Sequence, residues 1–210
     1  MHAQESLQNN MRIISFHNTT SLYLVSRTLG LILFWLLFVP GPGIHAQTRY
    51  GVTSGTITFV SDAPLERITA TSRTLKGVVE ASNRTFAFTI DIASFQGFNS
   101  PLQRVHFNEN YMESGDYPVA TFTGKFIEDV DLSADGTYDI RVKGKLNIHG
   151  VEKERIIKSS LRIDHGTMFI NSRFTVLLED HEIRIPKVVL QKISQVVNVE
   201  VTATLSSLKT

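Results

Sequence analysis

Thr137-Tyr138-Asp139-Ile140-Arg141-Val142-Lys143-Gly144-Lys145-Leu146-Asn147-Ile148 alternates without a break: even positions are apolar or small, odd positions polar. Side chains on a strand point to opposite faces in turn, so these residues form a long strand with one buried and one wet face. Turn residues bracket it, Ser133-Ala134-Asp135-Gly136 before and His149-Gly150 after. A single amphipathic strand cannot bury its own face. It needs a second sheet or closure into a barrel.

The same pattern recurs outward along the chain. Tyr50–Ser61 reads as a first strand with Ile57 and Phe59 on one face, and Arg67–Ser82 as one extended segment with a bulge or bend at Gly77. Thr85–Ala93 places Phe86, Phe88, Ile90 and Ile92 together, and Tyr117–Phe126 does the same for Ala120, Phe122, Gly124 and Phe126. Val151–Asp164 and Thr167–Leu178 flank the hairpin turn Asp164-His165-Gly166, with Ile170, Phe174 and Val176 inward on the second. Pro186 demotes Glu182–Val189 to an edge strand or loop, and Gln195–Leu205 closes the chain. One helix interrupts the series. Ser100 caps it, Pro101 takes its first position, Leu102, Val105, His106, Glu109 and Met112 follow at helical spacing, and Gly115 ends it. About eight amphipathic strands in up-and-down order with short turns favour an all-β fold, an eight-stranded antiparallel closed barrel with one helix near its mouth.

The first 46 residues stand apart. Leu29–Val39 is an apolar run of eleven, preceded by Arg12 and Arg27 and followed by Pro40-Gly41-Pro42-Gly43 and Ile44-His45-Ala46. As a helix it reaches only about 16 Å, too short to span a bilayer, so residues 1–46 read as a signal peptide cut after Ala46. Residues 47–210 are then one domain, exported to the periplasm or beyond. Setting aside Arg12, Arg27 and Glu5 reduces 21 basic and 20 acidic residues to 19 of each. A neutral domain has no bulk electrostatic attraction for nucleic acid or an anionic membrane. The absence of cysteine excludes disulfides and cysteine-linked lipid.

Chemistry is sparse on the wet faces. The chain has no G-x-S-x-G elbow, no phosphate-cradling glycine loop and no H-E-x-x-H pair, so no catalytic residue, metal site or cofactor is expected. His106, His149, His165 and His181 lack metal-ligand spacing; His149 and His165 precede glycines in turns, and His181 reads as part of an exposed charged turn with Glu179, Asp180 and Glu182. His106 and Glu109 share a helix face, where they would anchor the helix to the barrel mouth or meet a ligand's head group. The inward faces carry the functional expectation. Phe59, Phe86, Phe88, Ile90, Phe122, Phe126, Ile140, Val142, Leu146 and Phe174 either line a lumen that holds a long apolar molecule or fill a packed core without a ligand. Inward Gly124 and Gly144 leave room and favour the open lumen.

Two segments resemble a known family. Met112-Glu113-Ser114-Gly115-Asp116-Tyr117-Pro118-Val119-Ala120-Thr121-Phe122-Thr123-Gly124 is similar to the Y-P-x-a-x-F signature of YceI-like proteins, and Gly144–Val151 to their G-x-L-x-I-x-G-V/T segment. His106–Tyr111 and Ile185-Pro186 also fit, so the resemblance spans Thr53 to Leu205. Gly55–Asp62 lacks the histidine–serine pair common in that family's opening strands. The resemblance implies a lipocalin-like barrel and a polyisoprenoid or other lipid in its lumen. A carrier of such a ligand would be expected to make transient contact with a membrane or with a donor or acceptor protein.

Overall fold

The computed structural model describes residues 49–208, and the leader expected over residues 1–46 lies outside them. Nine strands follow in order: β1 (Arg49–Asp62), β2 (Arg67–Ser72), β3 (Lys76–Glu80), β4 (Thr85–Asp91), β5 (Val119–Phe126), β6 (Gly136–Ile148), β7 (Val151–Asp164), β8 (Thr167–Leu177) and β9 (Val196–Leu208). Each pairs antiparallel with its neighbour from β3 through to β9, and β9 returns to β1 from Arg49↔Leu208 to Ser61↔Val197. β2 and β3 occupy successive stretches of the other edge of β1, Ile57–Asp62 and Arg49–Gly51 respectively, so they are one stave broken in two. The barrel is closed and has eight staves.

The segment 67–82 is therefore interrupted at residues 73–75, not bent at Gly77. Gly77 pairs regularly with Phe88, whose ring lies where a Cβ would stand. At the break, hydroxyls replace the ladder: Ser72 Oγ meets Ser94 Oγ at 2.6 Å, and Thr74 Oγ1 lies 3.0 Å from the same atom. Leu75 turns inward beneath Gly55. The free edge of β2 bridges Thr71 to Gln96, so the stretch after β4 patches the wall there. The bulge of the fold lies in β1, where the register with β9 shifts between Val52 and Ser54.

The ends of the barrel differ. At one end two tight turns, 81–84 and 165–166, join the staves, the connection 127–135 folds inward with Leu132 buried, and Val79, Leu161, Met168 and Leu205 are fully buried, with Tyr50 donating its hydroxyl to the Leu132 carbonyl. That end is plugged. The opposite end carries the two long connections, residues 92–118 and 178–195, together with the turns at 63–66 and 149–150. His149-Gly150 and His165-Gly166 both have positive φ at the two central positions, which suits the twist of the hairpins they join.

The helix is shorter than its sequence spacing implies. Ser100 caps it as expected, accepting from Gln103 N at 3.1 Å, but α1 covers only Pro101–His106 before a wider turn, Phe107–Tyr111, closes with Met112 N donating to Phe107 O. Phe107, Tyr111 and Met112 pack inward, whereas Leu102 and Val105 face solvent. The segment around Pro186 forms short 3₁₀ turns and loop, not a strand.

Gly124 and Gly144 pair across β5 and β6, but neither leaves room in the lumen. A Cβ on Gly144 would stand 2.4 Å from the Thr123 carbonyl oxygen and 2.9 Å from the Phe122 ring, which covers the glycine. Close strand approach, filled by an aromatic ring, is the role of this pair. Gly144→Ala is expected to destabilise the barrel by about 1–3 kcal/mol, measured by urea unfolding, because backbone must shift to admit the methyl group.

Candidate binding cavity

Within the barrel lies a cavity of about 560 Å³. All ten inward residues named from the alternation border it: Phe59, Phe86, Phe88, Ile90, Phe122, Phe126, Ile140, Val142, Leu146 and Phe174. Phe59, Phe88, Phe122 and Phe174 point inward yet are only half-buried, as side chains facing empty space must be. Its volume is several times the ~150 Å³ of an apolar cavity that admits one benzene ring. The lumen is thus packed at the plugged end and open toward the other.

The long connections complete the site, and alternation could not have found their contribution. Phe95, Phe98 and Phe107 line the cavity from the 92–118 connection, and Leu178, Ile183, Ile185, Val189 and Ile193 line it from the 178–195 connection. Phe59 organises the first group, with ring centroids 5.3 Å from Phe95 and 5.4 Å from Phe107. A smaller core of Ile92, Met112 and Ile183 joins the two connections over Ile148. The exposed lining residues are Ser100, Leu102, His106 and Lys192, all from these connections, and they mark the mouth. His106 therefore borders the opening. Glu109 is exposed and does not line the cavity, so the helix does not present the two as a pair to its interior.

Polar atoms are few inside. Ser159 and Ser172 face each other across β7 and β8 with their hydroxyl oxygens 2.6 Å apart, both buried and both bordering the cavity. One hydrogen serves that pair; a second hydroxyl hydrogen remains for an acceptor within the lumen.

His181 is not in an exposed turn. It is 1% exposed, and its Nδ1–H donates to the Val151 carbonyl at 3.0 Å. Above it His149 packs on Tyr117, with Nε2 3.0 Å from Glu113 and Nδ1 3.3 Å from the His181 carbonyl. Burial holds the His181 pKa below its ordinary 6.5, opposed in part by the Val151 carbonyl and Asp180. The neutral ring is thus the form that the fold accepts, and the unfolded chain binds more protons just below pH 6.5. Stability should be complete above that pH and fall as pH drops toward the lowered folded value. His181→Gln should lose this component of the pH dependence, read from unfolding free energies between pH 7.5 and about 5.

Closed antiparallel staves around an apolar, single-mouthed cavity define a lipocalin-like barrel. The YceI-like domain model matches residues 45–205, and the chain belongs to that family. In structure it is similar to a polyisoprenoid binding domain from Saccharophagus degradans implicated in plant cell wall breakdown, with a TM-score of 0.65 and 18% identity over 76% of this chain and 98% of that one. It is also similar to BcnA of Burkholderia cenocepacia, with a TM-score of 0.60 and 14% identity over 71% and 95%. Among curated proteins, none matches the chain. At these identities the likeness establishes the fold.

Proposed function

We propose that the protein is a non-catalytic carrier, exported to the periplasm or outside the cell, that holds a long apolar molecule of the polyisoprenoid class in its lumen. The observation that carries this reading is the cavity of about 560 Å³ with its aromatic and aliphatic wall and one mouth. The polyisoprenoid binding domain that shares the fold supports the choice of ligand class. An isoprene unit has roughly 100 Å² of apolar surface, so burying one contributes about 2–3 kcal/mol before ordering costs. Several units reach micromolar affinity without a charged contact. The spare hydroxyl hydrogen of the Ser159–Ser172 pair suits an oxygen on the guest.

Scaled against a benzene-sized cavity of ~150 Å³, the lumen accommodates about four five-carbon units. Displacement of a fluorescent apolar probe by prenols of increasing length should therefore tighten at least about tenfold per added unit and level off near four. Ala120→Phe, which fills space near the mouth, should weaken binding while leaving the barrel folded. Ser159→Ala with Ser172→Ala should narrow the preference for a prenol over the hydrocarbon of the same length. Lipid extraction of protein purified from its own host, followed by mass spectrometry, is the direct test. Repeated recovery of empty protein, together with no uptake of any prenol, would sink the reading.

A further inference from the structure

The rim of the mouth has a composition that enclosing a guest does not require. Two rim loops contain no acid: residues 99–108, with Leu102, Arg104 and Val105, and residues 183–193, with Arg184, Lys187, Val188 and Lys192. Val188 is 88% exposed and Leu102 61%, and Leu65 on the adjoining β1–β2 turn is 67% exposed. Single exposed aliphatics are ordinary on a protein surface, but these belong to one structure. Leu65 N donates to Gln191 O at 2.8 Å, and Gln103 Nε2 donates to Glu66 Oε1 at 2.9 Å, which ties the turn to both loops.

Charge at the rim also departs from charge on the wall. On the wall Lys143 meets Glu154, Lys145 meets Glu152 and Arg173 meets Glu200, and Arg141 meets Glu128 of the β5–β6 connection. Among the described residues, Arg104, Arg184, Lys187 and Lys192 have no carboxylate within ion-pair distance, and Arg104 donates Nη2 to the Ala93 carbonyl at 3.2 Å. The acids at this end lie outside the two loops: Glu66 is engaged by the Asn99 and Gln103 amides, Asp62 pairs with Arg67, Glu113 with His149 and Asp180 with Arg155, and Glu109, Asp116, Glu179 and Glu182 stand on the flanks. Exposed aliphatic side chains interspersed with unpaired cations form the pattern that binds the interface of an anionic bilayer, apolar groups below the headgroups and cations at the phosphates. A local patch can do this in a domain whose bulk charge is zero.

We propose that the mouth rim docks on an anionic phospholipid surface, seating Leu65, Leu102, Val105 and Val188 among the headgroups with Arg104, Arg184, Lys187 and Lys192 on their phosphates. This inference rests on the carrier reading, since an apolar guest that enters directly from lipid avoids crossing water.

Co-sedimentation with phosphatidylcholine vesicles, alone or mixed equally with phosphatidylglycerol, tests it. Because the run Leu29–Val39 can itself bind lipid, wild type is compared with rim variants of the same chain. Arg184→Glu with Lys187→Glu, and separately Leu65→Asp with Val188→Asp, should each weaken binding to the mixed vesicles about tenfold or more. Raised salt should reduce the wild-type advantage. None of these four side chains lines the cavity, so prenol uptake from detergent should remain at the wild-type level. Equal vesicle binding by wild type and both variants overturns the proposal. So does a dimer in sedimentation velocity that Leu65→Asp with Val188→Asp abolishes, which would assign the rim to a second copy. Intact rim-dependent vesicle binding without prenol uptake would instead remove the carrier reading and leave the docking surface standing.

Discussion

Everything in this barrel depends on the ladder between the first and last strands. From Arg49↔Leu208 to Ser61↔Val197 it joins the two ends of the sheet, and with β2 and β3 on its other side β1 has no free edge over most of its length. Closure satisfies the backbone polar groups and forces the inward faces of all the strands to share one interior. The volume of that interior is set by stave number and not by the side chains available to fill it, so a barrel of eight staves can retain a void where its inward residues fall short. Here they fall short toward one end only.

Why one end is filled and the other is open follows from the connections. At the plugged end the tight turns bring Val79, Leu161, Met168 and Leu205 together, and the connection 127–135 adds Leu132 against Tyr50. At the mouth the chain spends its long excursions on a partial cover. Phe107 stacks on Phe59 while Phe95 and Phe98 pack against it at an angle, and Ile92, Met112 and Ile183 form a separate small core. The cover is attached to the wall by aromatic packing and by the buried His181, while its outer surface keeps the exposed aliphatics and unpaired cations.

Much of this was legible in alternation. Period-two patterning located the strands, and the inward residues it selected are those that border the cavity, because a strand's geometry leaves no freedom over which side its residues face. The turns at His149-Gly150 and His165-Gly166 were equally readable from local chemistry. What alternation missed depended on contacts distant in sequence. The break at residues 73–75 follows from hydroxyls supplied by Ser72, Thr74 and Ser94. The helix is shorter than the spacing through Met112 implies because the chain widens into a looser turn at Phe107–Tyr111. Gly144 looked like vacant space, yet the ring of Phe122 occupies the position. His181 looked exposed among Glu179, Asp180 and Glu182, but the Val151 carbonyl and the wall draw it inside. Sequence neighbours do not reveal which side of a short turn faces the protein.

The plug at the far end makes the lumen a blind tube, and a blind tube imposes an order of events. Whatever goes in first comes out last, by the same door, so loading and unloading cannot overlap. For the carrier proposed above, this shape suits a shuttle that visits one station and then another, and not a conduit passing molecules through itself.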